Sequence, residues 1–155
     1  MDKNDRMIEL KRKARRKALV DELKMICDFD VSLFLSPNEN DEFCKSVFEY
    51  IKNLNEKHQF GNDDLSGNIE LSREYLKGIM TSRINSSSTW YMFFFREREI
   101  EVVPVCLSDV QEYLQEFCAI TQFKSGRADF ILVTNELSHG ICIERGEHFY
   151  ELCEW

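Results

Sequence analysis

Two histidines and two cysteines near the end of the chain are the residues whose types could bind a metal ion. His139, Cys142, His148 and Cys153 lie close together in the sequence. Zinc needs several such ligands converging on one point. The spacing here matches no zinc module and contains no CxxC pair, and successive side chains of a strand point to opposite faces. We therefore expect no metal site, and no other motif indicates a cofactor.

Cys142 is also the cysteine best placed for nucleophilic chemistry, because His139 and His148 flank it in the sequence. A catalytic thiol needs a base within hydrogen-bond reach and a donor for the oxyanion. No nucleophile elbow or cysteine-protease signature surrounds Cys142. The chain also contains no GxGxxG or GxxxxGK[ST] phosphate-binding loop. The sequence predicts that the protein is not an enzyme, and an enzyme that uses Cys142 stays open as a third possibility.

Charge is the strongest compositional signal. The 155 residues include 28 acidic and 20 basic side chains, which give a net charge of −8. A net negative charge disfavours generic binding to nucleic acid, which depends on neutralising phosphates. The charge is unevenly distributed along the chain. Met1–Lys24 holds nine basic and five acidic residues, whereas the rest of the chain holds eleven basic and twenty-three acidic residues. The larger part is therefore strongly acidic, which favours a cationic partner.

The carboxylates cluster in predicted turns and at strand ends. A clustered negative field speeds association with a cationic surface and orients it. We predict that the following carboxylates contact a partner: Asp63, Asp64, Glu97, Glu99, Glu144 and Glu147. The predicted mechanism is occlusion of the partner's cationic site, with aromatic contacts inside the acidic surround. The alternative is that this acidity only keeps the protein soluble.

The basic N-terminal segment reads as a helix. Arg6–Cys27 has no Gly or Pro and is rich in Lys, Arg, Ala, Leu and Glu, which are good helix formers. The run Lys11–Lys17 is a solvated helix face on one interpretation. On the other, Arg6–Lys24 binds nucleic acid or another protein, and the chain is a regulatory or adaptor module. Binding to nucleic acid is expected only through this helix.

Helices are predicted first and strands second. Ser36, Pro37 and Glu39 form a helix start, and the apolar spacing extends that helix to about Lys57. A third, shorter helix around Leu71–Met80 is weakened by Gly78, and the polar run Asn85–Ser88 ends the helical part. The later elements are two strands around a charged turn at 96–99, a helix from Ser108 to Cys118, and strands at Phe130–Val133, Gly140–Glu144 and His148–Cys153.

This order predicts an α+β fold in which N-terminal helices pack, mainly on one face, against an antiparallel or mixed sheet of about five strands with one inserted helix. We expect a single domain over 1–155, with a basic helix at 1–27, a helical part at 28–84 and a sheet part at 88–155.

No apolar run approaches the roughly 18–20 residues that span a membrane. The apolar stretch after the basic run is too short for a secretory signal. We expect a cytoplasmic protein with reduced cysteines and no membrane contact.

The C-terminal half resembles a known class in the order of its segments. A hairpin containing Trp90–Phe95 and a helix at Asp109–Phe117 precede Ala128–Val133, which leads into Leu137–Cys142 and Glu147–Tyr150. This order is similar to small bacterial immunity proteins of polymorphic toxin systems, including contact-dependent inhibition and Smi1-like families. The resemblance implies a non-enzymatic protein that binds and blocks a cognate toxin domain, often a nuclease. We therefore predict a toxin-neutralising immunity protein, with the adaptor as the alternative.

Overall fold

The computed structural model describes residues 1–28, 34–83 and 88–155. The chain divides into two compact units, Met1–Leu33 and Phe34–Trp155. The single domain over 1–155 therefore stays a prediction. The polar break predicted at Asn85–Ser88 lies outside the described residues, except for Ser88.

The first unit contains helix α1, Lys3–Lys24. It begins earlier than the sequence pattern suggested, because Asp2 and Asp5 form a reciprocal capping box. Asp5 N–H donates to the Asp2 side chain at 2.8 Å. The buried side chains of α1 are Leu19, Val20 and Leu23, so the C-terminal half is the more buried one. No helix in the described ranges is long and apolar enough to cross a membrane.

The second unit is built on one antiparallel sheet. Its strands are β1 (His58–Phe60), β2 (Trp90–Arg96), β3 (Glu99–Val105), β4 (Phe130–Thr134), β5 (Gly140–Glu144) and β6 (Tyr150–Glu154). Its helices are α2 (Pro37–Lys52), α3 (Leu65–Arg83), α4 (Leu107–Glu112) and α5 (Leu114–Ile120). The strand order is β1-β6-β5-β4-β2-β3. This confirms the α+β fold with an antiparallel sheet, although it has one strand more than the number predicted.

Helices cover both faces of this sheet, where the sequence pattern predicted them mainly on one face. Strand β4 is buried at every position, because alternate apolar side chains point to both sides. On one face, α2 packs Val47 and Ile51 with Phe93, within a wider cluster of buried residues. On the other face, Tyr75 of α3 contacts Phe60 at 5.0 Å between ring centroids. A sheet that is apolar on both sides needs a helical layer on each.

Several further elements differ from the sequence prediction, including the last strand, which is Tyr150–Glu154 rather than His148–Cys153. Helix α2 ends at Lys52 rather than near Lys57, and the following residues form the short edge strand β1. Helix α3 runs for 19 residues; Gly78 does not shorten it. The predicted helix from Ser108 to Cys118 is two short helices, because Tyr113 at their junction has φ −111° and ψ 35°, outside the helical region.

The edge strand β3 is blocked against further pairing by a buried asparagine. Asn40 Nδ2 donates to the Ile100 carbonyl at 2.9 Å, and Val102 N–H donates to Asn40 Oδ1 at 2.8 Å. The side-chain amide thus takes the place of a neighbouring strand at two backbone groups. Pro104, further along the same edge, has no N–H to offer. Asn40 and Pro104 therefore protect an edge that could otherwise pair with another chain.

Candidate functional site

The sheet topology brings all six predicted contact residues to one end of the sheet. Residue pairs that lie opposite each other in the ladder are Phe60 with Tyr150, and Arg96 with Glu99. Glu144 lies opposite Glu151 at the same end. The loops that leave this end carry Asp63 and Asp64 after β1, Glu97 after β2, and Glu147 after β5, while Glu99 begins β3 and Glu144 ends β5. We call these six carboxylates the acidic rim, and this end of the sheet the rim end.

The acidic rim extends along the full width of the sheet. Neighbouring strands lie about 4.8 Å apart, so the five spacings from β1 to β3 span about 24 Å. Asp63 and Asp64 are at one side, Glu144 and Glu147 near the middle, and Glu97 and Glu99 at the other side. This width is comparable with the face of a standard protein–protein interface, which buries roughly 800 Å² on each partner. The rim is therefore large enough to contact a protein surface.

Two of the six carboxylates already have a side-chain partner within the chain. Asp63 Oδ1 lies 2.9 Å from His148 Nδ1, and Glu144 Oε1 lies 3.6 Å from Lys57 Nζ. Burial acts to lower the pKa of Lys57, but the nearby negative charges, led by Glu144, outweigh it and raise that pKa. Lys57 therefore stays charged beside Glu144.

The other four carboxylates are available to a partner. Asp64, Glu97, Glu99 and Glu147 are exposed, and none forms an ion pair with any residue of the described ranges. Glu97 and Glu99 flank a hairpin tip, and Glu147 lies in the β5–β6 loop. A cationic surface that approached the rim would meet these four charges without displacing an internal partner.

A buried asparagine holds the loop that carries Asp63 and Asp64. Asn68 is 3% exposed. Its Oδ1 accepts from Asn62 N–H at 2.9 Å, and its Nδ2 donates to the Asn62 carbonyl at 2.6 Å. Gly61 has φ +79°, and a Cβ there would lie 2.1 Å from Asn68 Oδ1. Only glycine fits that position, so the loop is fixed against the start of α3.

The β5–β6 loop is held by a second set of hydrogen bonds. Asp129 Oδ1 accepts from Arg145 N–H at 2.9 Å and from Arg145 Nε at 3.2 Å. Arg145 Nη1 also donates to the Gly126 carbonyl. These bonds tie the loop that carries Glu147 to the segment before β4. Phe149 in the same loop is 37% exposed, so an aromatic side chain lies among the charges.

The tip of the β2–β3 hairpin holds two residues in an unusual backbone conformation. Glu97 has φ 51° and Arg98 has φ 69°. Two central residues with positive φ define a type I′ turn, in which Asn-Gly is strongly preferred because other residues are strained there. Neither residue suits this turn, so the sequence keeps charged side chains at the hairpin tip at a cost in stability. Strain retained in this way is typical of functional positions.

The four residues first considered for metal binding do not form a site. No group of three or more His, Cys, Asp or Glu side chains within the described ranges could hold a metal. Cys142 and Cys153 lie opposite each other in the β5–β6 ladder and are buried under α2. His148 is instead in the β5–β6 loop and pairs with Asp63. Burial raises the pKa of the Cys142 thiol well above its ordinary value, which disfavours the nucleophilic thiolate.

Comparison with known proteins assigns the chain to a family. A family model described as YxiF protein matches residues 19–155. The chain belongs to the YxiF protein family. No curated protein and no solved structure matches it. In this YxiF-family chain the matched residues include the whole acidic rim, whereas the basic run Lys11–Lys17 precedes them.

The residues that position the rim were not found from the sequence of this YxiF-family chain. Asn68, Asp129 and Arg145 each hold a rim loop, and Lys57 neutralises one rim charge. The Gly-Asn-Asp-Asp run at 61–64 did signal a loop. However, Asp129 and Arg145 pair across the neighbouring strands β4 and β5, and Lys57 reaches Glu144 across β6, so only the strand order and register show these pairs.

Proposed function

We propose that this protein is an immunity protein that binds a cognate toxin domain in the cytoplasm and occludes its cationic site, such as the phosphate-binding surface of a nuclease. One observation carries the proposal: loops separated by up to 84 residues place six carboxylates along one end of the sheet. Nuclease active sites are cationic because they bind phosphate. An acidic surface of matching size is the complementary shape and charge.

The charge balance at the rim supports this function. Four of the six carboxylates have no ion-pair partner within the described ranges, so a cationic partner gains their attraction without breaking internal pairs. Phe149 supplies an aromatic contact near the middle of the rim. Interfaces of this kind combine an aromatic anchor with a charged surround that excludes water and sets orientation.

The fixed rim loops support tight binding. A partner that meets an already ordered surface avoids the free-energy cost of ordering it, which is about 0.5–1.5 kcal/mol for each flexible side chain. Asn68 and Asp129 hold two of the three loops through backbone hydrogen bonds. The third is a two-residue hairpin turn, whose short length allows little freedom. The rim is therefore preorganised.

A growth assay with a matched charge control tests the proposal. The chain is co-expressed with the toxin domain encoded beside its gene, and growth is measured for the wild type and two double variants. Glu97→Lys with Glu147→Lys reverses two rim charges. Glu49→Lys with Glu112→Lys makes the same change in net charge at exposed positions on α2 and α4. We expect the wild type and the α2/α4 variant to restore growth and the rim variant to fail.

Binding kinetics give a second readout. With the purified toxin domain, the wild-type association rate should fall by at least about tenfold between low and high salt, because electrostatic steering is screened. The rim variant should associate slowly at every salt concentration. A rim variant that protects cells as well as the wild type would refute the rim as the binding surface. No binding and no protection by the wild type would refute the immunity function.

The alternative, an adaptor that binds through its basic helix, has weaker support. Arg12, Arg15 and Arg16 each take part in an interaction within the chain, and Lys13 pairs with Glu9 at 2.8 Å. Much of the basic cluster is therefore engaged already. Neutralising the exposed cations with Lys11→Gln and Lys17→Gln separates the two functions, since it should abolish partner binding by an adaptor and leave toxin neutralisation intact.

A further inference from the structure

A groove lies between α2 and the first residues of β2. It has a volume of about 350 Å³, and its lining includes Glu39, Glu42, Phe43, Ser46, Tyr91 and Asn135. Tyr91 and Arg96, which lies at the rim end, are five residues apart on β2, or about 17 Å at the rise of a strand. The sheet side of the groove therefore lies away from the rim end, whereas Glu39 on its helical side neighbours Asn40, which is bonded to the start of β3.

The helical wall of the groove follows from sequence spacing. Residues 39, 42, 43 and 46 have the i, i+3, i+4, i+7 spacing that places side chains on one face of α2. Phe43 points from this face to the sheet, where its ring centroid lies 5.2 Å from that of Tyr91. The floor is thus aromatic, and the two glutamates stand beside it.

The charge of the groove is entirely negative among the described residues. Two glutamates line it, and no Lys or Arg does. Glu39 accepts a hydrogen bond from Ser36 N–H at 2.9 Å, and this backbone bond lowers the pKa of its carboxyl. Glu39 is therefore ionised at neutral pH. Glu42 makes no ion pair within the described ranges, so its carboxylate is open to a ligand.

We propose that this groove binds one arginine side chain presented by a partner protein. A guanidinium group is planar, stacks on aromatic rings and donates several hydrogen bonds to carboxylates, whereas an ammonium group is a compact point charge. The aromatic floor matches the stacking face, and Glu42 and Glu39 match the donors. The Asn135 amide offers a further polar group. A volume near the lower limit for ligand sites, about 300 Å³, suits one side chain and not a cofactor.

An NMR titration of the full chain tests the proposal directly. The probe is N-acetyl-arginine amide, and N-acetyl-lysine amide and N-acetyl-norleucine amide serve as comparison ligands. We expect saturable shifts of the backbone amide signals of Ser46, Tyr91 and Asn135 with the arginine probe, and a dissociation constant of about 1 mM, which is typical of one weak contact. Binding should be several-fold weaker for the lysine probe and absent for the norleucine probe.

Two matched variants locate the binding. Glu42→Gln keeps the size of an exposed side chain and removes its charge, so it should weaken arginine binding by at least about fivefold. Glu147→Gln makes the same change at the acidic rim and should leave arginine binding unaltered. Shifts that do not saturate, equal binding of lysine or norleucine probes, or unchanged binding by Glu42→Gln would each overturn the proposal. None of these results bears on the rim, so the two proposals can fail independently.

Discussion

Replacing the hairpin tip Glu97-Arg98 with Asn-Gly should make the protein more stable, and it removes one carboxylate of the acidic rim together with one neighbouring cation. Both residues have positive φ values, 51° and 69°, which an L-residue with a Cβ adopts at a cost. Asn tolerates this region through local hydrogen bonding, and Gly has no Cβ to clash. The double replacement therefore removes strain without changing the backbone path.

The size of the gain follows from the two dihedral angles. The left-handed conformation costs about 1–2 kcal/mol for each ordinary residue. The new Gly lowers this gain by about 0.5–1 kcal/mol, because it raises the entropy of the unfolded chain. Two such residues store about 2–4 kcal/mol, so the net increase in the free energy of unfolding should be about 1–3 kcal/mol, with about 2–4 °C in Tm for each kcal/mol in a chain of this size.

Urea denaturation and partner kinetics provide the assay. The denaturation midpoint should rise with an unchanged m-value, which shows that the folded state itself has gained stability. The association rate with the toxin domain should fall for Glu97→Gln, because Glu97 is a rim charge without an ion-pair partner in the described ranges. The Asn-Gly variant loses one negative and one positive charge, so its association rate should change less. Two single variants separate these effects. Arg98→Gly keeps the rim charge and removes strain, whereas Glu97→Gln removes the charge and keeps the strain.

Two outcomes with the single variants would refute the strain and recognition roles of the hairpin tip. If Arg98→Gly does not raise the midpoint, the hairpin tip stores no strain and its sequence needs no functional explanation. If Glu97→Gln binds as fast as the wild type, Glu97 contributes nothing to recognition.

Two further predictions concern the edge strand and the thiols. Asn40→Ala should lower the free energy of unfolding by about 2–4 kcal/mol, because it leaves Val102 N–H and the Ile100 carbonyl without their buried partner. Asn40→Asp keeps the acceptor for Val102 N–H but places a buried carboxylate oxygen against the Ile100 carbonyl, so it should cost at least as much in the same urea experiment, and a small cost would contradict the two-bond role. Iodoacetamide at pH 8 should label exposed Cys106 well before Cys118, whose pKa burial raises to about 12. Mass spectrometry of the labelled peptides would show this order, whereas fast labelling of buried Cys142 would revive the enzyme hypothesis.

Local sequence signals predicted most elements of the fold. The start of α2 was predicted from Ser36, Pro37 and Glu39, and the structure shows the capping box there. Such a cap can be predicted from sequence because it involves only residues within one turn. Strand β5 was predicted with its observed bounds, Gly140–Glu144. Strand β1 was missed, because three residues at a sheet edge carry too little periodicity to identify a strand.

The sequence by itself also determined that the protein carries a strong negative charge outside its first helix, and it placed candidate carboxylates in turns. It could not show that these turns meet at one end of the sheet, because that depends on the strand order β1-β6-β5-β4-β2-β3. Nor could it show that His148 pairs with Asp63 rather than with a metal. Hydrophobic pattern and capping act between near neighbours, so one chain reveals them. Strand order and ion pairing join residues distant in sequence, and only the tertiary structure decides them.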